Sequence, residues 1–274
     1  MQKRKTFLET LSEALTHFAK TGYVSQTELE DWTTRLRLSL KFNLKPMPDM
    51  EKYVRKVMEN TYNKLVLQNG ITKQSQFVSR FTIDKIKPEL HSELNRRILA
   101  STSLIKLNRD QCVEMVLRRF QGWATAQPPG GSKVGSKDKG KAKREISTPY
   151  QRLPFQERRV VIDQNHKLSA TINDLVAVSG GAIAAVWHSH VDQPGYDYRV
   201  THAERNDKFY LIRNSWAQQK GLVKPGKAGY TDEITQPGEE VYCRCYYRYI
   251  YSLNRLPEEM LTKKGQASIA AFGK

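Results

Sequence analysis

The chain has few cysteines, few acidic residues and no long apolar run, and each shortage removes a class of protein. Its three cysteines, Cys112, Cys243 and Cys245, are an odd number and too few for the disulfide framework of a small secreted domain. A cytoplasmic setting fits them better. No stretch approaches the roughly 18 to 20 consecutive apolar residues that span a bilayer. The basic start Met1-Gln2-Lys3-Arg4-Lys5 leads into Glu9, Glu13 and His17 rather than into an apolar signal core. The chain is therefore expected to be soluble before any assembly. No internal repeat is present.

The acidic deficit, 28 Asp and Glu against 45 Lys and Arg, leaves a formal charge of +17 over 274 residues. Nine of these excess charges fall in 1–126, four in 127–149 and four in 150–274. Such an excess favours polyanions such as packaged DNA, because neutralised phosphates release their counterions. The plainer alternatives are solubility and docking on an acidic protein surface. Without an Arg-rich aromatic module or a single recognition helix, sequence-specific readout is not expected.

Residues 1–126 read as a helical module. Thr6 with Glu9, and Ser25 with Glu28, have capping-box spacing. Phe7, Leu11, Leu15 and Phe18 share one face of a first helix, and Leu29, Trp32, Leu36 and Leu40 one face of a second. Pro46 and Pro48 end the second, and Asp49 caps a third that carries Val54, Val57, Met58 and Leu65. A stripe from Ile83 through Leu90, Leu94 and Ile98 predicts a fourth helix, kinked or restarted at Pro88. Val113, Val116, Leu117 and Phe120 predict a fifth, with Cys112 as a core residue rather than a nucleophile.

Residues 127–149 change character: Pro128-Pro129-Gly130-Gly131 is followed by Lys133, Lys137, Lys139, Lys141, Lys143 and Arg144, with little to bury. This composition predicts a flexible basic linker whose cations are candidates for nucleic-acid contact. Residues 150–274 read as an α+β domain: a long helix from about Phe155 to Val178, stopped by Gly180-Gly181, and a small antiparallel sheet packed by that helix. The strands expected are 182–191, 208–212 and the Val/Tyr/Ile-dense 240–253, where Tyr242, Tyr246, Tyr247, Tyr249 and Tyr251 populate both faces.

Within this domain a particular order of residues stands out. Asp163-Gln164 and Lys167-Leu168 lie on the helix, Trp187 and Ser189 on the central strand, Arg199 and His202 after a turn, then Pro237-Gly238 and Cys243-Arg244-Cys245. Over about 155–250 this order resembles the Mu F-like head morphogenesis family of tailed bacteriophages. The chain departs from that pattern in having Asp207 where the family usually has a glycine after the histidine. A second departure is the turn Gln193-Pro194-Gly195-Tyr196, flanked by Asp192 and Asp197, which is longer than usual. The resemblance implies a minor head protein: a low-copy virion component rather than an enzyme, acting with the portal, scaffold or capsid protein. Its implied location is the virion head interior, reached from the host cytoplasm, near packaged DNA and without membrane contact before ejection. It also raises a part in DNA packaging or ejection. Asp163, Gln164, Trp187, Arg199, His202 and Arg244 are then structural residues that hold the domain together.

The residue chemistry suggests one sharper possibility. Residues two apart on a strand share a face, so His188 and His190 are expected to project together, and likewise Cys243 and Cys245. With His202 replacing one ligand, these residues predict a tetrahedral structural zinc site; packed or hydrogen-bonded side chains are the plainer alternative. No other cofactor is expected. The competing functional class is a metal-dependent nuclease or a toxin-like effector delivered with the genome, using His188, His190, His202, Asp192 and Asp197 to hold a divalent ion. No nuclease motif is complete, and enzymatic activity is not expected.

Overall fold

A computed structural model describes residues 5–67, 78–190 and 199–272. The chain forms two compact units, each assembled from two separated stretches: Met1–Tyr53 with Ser101–Val161, and Val54–Ala100 with Ile162–Lys274. The expected division at 126 and 150 is thereby replaced. Two long helices, α4 (Arg80–Thr125) and α6 (Lys139–Ser179), each contribute residues to both units. Among the described residues no helix is long and apolar enough to cross a membrane.

In the first unit, α1 (Phe7–Thr21) starts on the expected capping box. Thr6 N donates to Glu9 Oε2 at 2.7 Å, and Glu9 N to Thr6 Oγ1 at 3.3 Å. At α2 (Gln26–Asn43) only half of the box forms: Ser25 Oγ accepts from Glu28 N, whereas the Glu28 carboxylate meets His17 Nε2 at 2.6 Å. Asp49 sits inside the first turn of α3 (Met47–Tyr62) rather than capping it. The apolar stripes of α1 and α2 pack with Cys112, Val113, Val116, Leu117 and Phe120 of α4 into one core. Burial, with the nearby Glu157 carboxylate adding to it, pushes the Cys112 thiol up to about 11, as befits a core residue.

The segment expected to be a flexible linker is folded. Its start docks on the end of α1, where Gly130 N donates to Thr21 O and Ser132 N to Ala19 O, both at 3.0 Å. Gly131 takes a φ of +84° there, and a Cβ would collide with the Lys20 carbonyl. A short helix α5 (Lys133–Lys137) follows, then α6, whose Ala142, Ile146 and Leu153 enter the core beside Phe7. Pro149 and Pro154 lie inside α6. An interior proline costs a helix about 3 kcal/mol. Full burial of an Ile or Leu side chain returns about 1.5 to 3 kcal/mol each. Tertiary packing thus overrides a composition that reads as tether. The candidate DNA-contacting cations remain outside this core, with Lys133, Lys137, Lys141 and Arg144 exposed and Lys139 and Lys143 half-buried.

The second unit is the α+β part. Its sheet has β1 (Ala184–His188) in the middle, antiparallel to β2 (Phe209–Leu211) on one side and to β3 (Tyr246–Ile250) on the other. The strands expected over 182–191 and 240–253 are shorter than their apolar runs. β3 begins only at Tyr246, and a strand reaching back to 240 is interrupted at Tyr242, whose φ of +60° lies outside the β region. Strict alternation splits the sheet into two faces. Ala185, Trp187, Tyr247 and Tyr249 pack with Ala177 of α6, while Ala184, Val186 and Ile250 pack with Leu222, Leu256 and Met260. The long helix therefore covers one face, as expected, and the C-terminal segment covers the other.

Where α6 meets the sheet, Tyr249 Oη donates to Asp174 Oδ1 at 2.9 Å. Burial raises the Asp174 carboxyl above its usual range, and the tyrosine hydrogen bond only partly opposes this. A carboxyl with a raised folded pKa binds more protons in the native than in the unfolded state, so its contribution to stability is lost as pH rises through that pKa. Asp174→Asn keeps an acceptor for Tyr249 and removes the buried charge. The variant is expected to melt above the wild type at pH 7, with the gap closing as pH is lowered towards the carboxylate range; thermal melts at stepped pH would read this. An equal gap at every pH would contradict it.

Candidate functional site

The motif residues converge at one end of the sheet, on the face covered by α6. Trp187, the largest fully buried side chain, meets the His202 ring edge-on at 5.3 Å and the Tyr247 ring at 5.6 Å. Arg205 lies over the Trp187 ring, 5.0 Å from its centroid. His202 comes from the short helix α7 (Val200–Glu204) and is only 3% exposed. Its Nδ1 stands 3.7 Å from Cys243 Sγ and 3.5 Å from Cys245 Sγ. Its Nε2 stands 3.1 Å from Glu240 Oε1.

Glu240 is the hub of a second layer. Its other oxygen pairs with Arg199 Nε at 2.7 Å, and Thr235 Oγ1 donates to Oε1 at 3.3 Å. Arg199 Nη2 also donates to Val241 O at 3.0 Å. The His202 contact, helped by Arg199, holds the Glu240 carboxyl below its usual range. The paired sulfurs divide their protons unequally. Hydrogen bonding from the Cys245 thiol, supported by the Gly238 N–H at 3.4 Å, draws Cys243 well below the ordinary thiol range. That same hydrogen bond, together with burial, pushes Cys245 up.

The helix signature clamps the loop that carries the cysteines. Asp163 Oδ1 accepts from Tyr242 N at 2.6 Å, and Lys167 Nζ donates to Glu239 O at 2.9 Å while lying 3.5 Å from Asp163 Oδ2. Gln164 extends the clamp: its Nε2 donates to Asp163 Oδ2, and its Oε1 accepts from Arg97 Nη1. Arg97 is itself paired with the buried Glu93. Pro237 and Gly238 are buried against α6, where a Cβ on Gly238, at φ +82°, would press on Ala170. Arg244 is exposed, and its charge adds to burial in lowering His166.

Of the five predicted metal ligands, the structure brings together three: His202, Cys243 and Cys245. His188 does not join them, and its position in the strand explains why. His188 pairs with Tyr246, whereas Trp187 pairs with Tyr247, so His188 points to the face opposite the cysteines. There it stacks on Tyr246 at 5.1 Å and meets Asp207 at 3.2 Å. His190 lies past the end of β1, its ring 6.0 Å from that of Tyr246. Asp192 and Asp197, the acids of the nuclease reading, lie outside the described residues.

Sequence reasoning missed Glu240, Thr235 and Arg205. Only Glu240 had a usable signal, as an acid three residues before a Cys-x-Cys pair. The departure at Asp207 has a clear structural meaning. Asp207 adopts φ +58° in the turn that leads into β2, the left-handed conformation a glycine would supply, and its N–H donates to Trp187 O at 2.8 Å. No protein-family model matches the chain, and no curated protein or solved structure matches it either.

Proposed function

We propose that the chain is a minor head protein of a tailed bacteriophage, a low-copy virion component that acts in head assembly at the portal. The observation that carries this reading is the convergence of the ordered motif. Residues scattered over 163–245 and singled out only by their order meet in one buried node: Asp163 and Gln164 clamp the loop, Trp187 backs His202, and His202 faces both cysteines. The left-handed Asp207 fits the same pattern, since it does the backbone work of the family's usual glycine. The node is closed, with His202, Cys243 and Cys245 at 3%, 1% and 7% exposure. That burial suits a structural role better than a site that must admit a nucleic-acid backbone.

On this reading the partners are the portal, scaffold or capsid protein, with the exposed cations of α5 and early α6 making non-specific contact with packaged DNA. Mass-spectrometric counting in procapsids, mature virions and portal-less particles of the encoding phage tests it. A few copies per particle, lost when the portal is missing, is the expected outcome. Absence from every particle would sink the proposal.

A further inference from the structure

We infer that His202 Nδ1, Cys243 Sγ and Cys245 Sγ bind one zinc ion, which fixes the loop 237–245 to the end of the sheet. The site stands on its own geometry and does not depend on a role in head assembly. Tetrahedral zinc with bonds of about 2.3 Å to sulfur and about 2.0 to 2.1 Å to nitrogen sets its nitrogen and sulfur ligands about 3.6 Å apart. The two separations here are 3.7 and 3.5 Å, and all three donor atoms lie within 4.8 Å of one another.

The histidine tautomer points the same way. A carboxylate only accepts, so Glu240 Oε1 at 3.1 Å calls for a proton on Nε2, and in the neutral imidazole that a metal binds the Nδ1 lone pair then faces the two sulfurs. This carboxylate–histidine arrangement is what orients and strengthens a zinc-bound imidazole. Arg199 and Thr235 in turn hold the carboxylate. The surroundings also suit thiolates. Gly238 N donates to Cys243 Sγ at 3.4 Å, and the buried Trp187 indole N–H makes no hydrogen bond among the described residues. Three protein donors account for three of the four tetrahedral positions.

The test uses the full chain, purified without an affinity tag and without chelator. Elemental analysis by plasma mass spectrometry is expected to find about one zinc per chain. Cys112→Ser keeps it, whereas Cys243→Ser and Cys245→Ser lose it. Because loss of the fold would by itself release the ion from those variants, the wild type is also loaded with Co²⁺ after mild zinc removal. Sulfur-to-cobalt charge-transfer bands and strong tetrahedral visible bands are expected. Glu240→Gln is expected to retain the fold and bind zinc roughly 10- to 100-fold more weakly in a chelator competition. Absence of zinc together with failure to take up Co²⁺ at micromolar concentration would overturn the site. So would a Cys243–Cys245 disulfide found in the freshly purified chain.

Discussion

Asp163→Ala is expected to destabilise the second unit by about 3 to 5 kcal/mol, the range for removing one member of a buried charged network. Asp163 is 6% exposed and serves three partners at once. The most consequential is Tyr242 N, 2.6 Å from Oδ1, because Tyr242 sits at φ +60°. A side chain in the left-handed region costs about 1 to 2 kcal/mol, so the turn persists only while something holds it. Removing the carboxylate also leaves Lys167, 8% exposed, with the Glu239 carbonyl alone. Asp163→Asn separates the two effects: it keeps an acceptor for Tyr242 and loses only the charge, for an expected cost of about 1 to 2 kcal/mol. Urea unfolding followed by near-ultraviolet circular dichroism would rank the variants. An alanine variant within about 0.5 kcal/mol of wild type, the range of ordinary surface changes, would refute the clamp. Because the clamped turn leads directly to Cys243 and Cys245, the alanine variant should also loosen the cluster they form with His202.

How much of this was legible depended on whether the signal was periodic. The stripes Phe7, Leu11, Leu15, Phe18 and Val113, Val116, Leu117, Phe120 are spaced for burial on one helix face, and both lie in one core. Pro88, read as a kink or restart, is the ninth residue of a helix that runs unbroken to Thr125. It is an interior proline that leaves the Asp84 carbonyl without its N–H partner, and burial of Ile86, Leu90, Leu94 and Ile98 on both sides of it outweighs that loss. The basic stretch misled in the other direction. Six cations in 133–144 dominate its composition, yet Ala142 and Ile146 are enough to anchor one face of α6. Composition averages over faces, and a helix needs only one that is apolar.

The candidate site was legible as a list but not as an arrangement. Parity along the strands, which excludes His188 from the cysteine cluster, is set by the register Trp187 to Tyr247. Register is a pairing property that no single strand displays. Glu240 was hidden for a similar reason. Its role follows from meeting Arg199 and His202, which are about forty residues away in the chain and adjacent in the fold.

A second large effect is expected from Arg109, which sequence reading passed over as one more basic residue. Its guanidinium is buried in the first unit. Nε meets Glu157 Oε1 at 2.6 Å, and Nη1 donates to Lys45 O at 2.6 Å and lies 3.2 Å from Met47 Sδ. The side chains of Arg109 and Glu157 are 7% and 13% exposed, so neither charge can fall back on water. Arg109→Leu strands the Glu157 carboxylate and removes the donor to the carbonyl of Lys45, at an expected cost of about 3 to 5 kcal/mol. Glu157→Leu strands the guanidinium and should cost a similar amount. The double variant carries no unpaired charge, and apolar replacements of buried ion pairs are often neutral or stabilising. It is therefore expected to be more stable than either single variant, with a coupling of about 2 to 3 kcal/mol in a double-mutant cycle. Additive losses would mean that the two residues act through separate partners, and the pair would then not be what joins α4 to α6 in that unit.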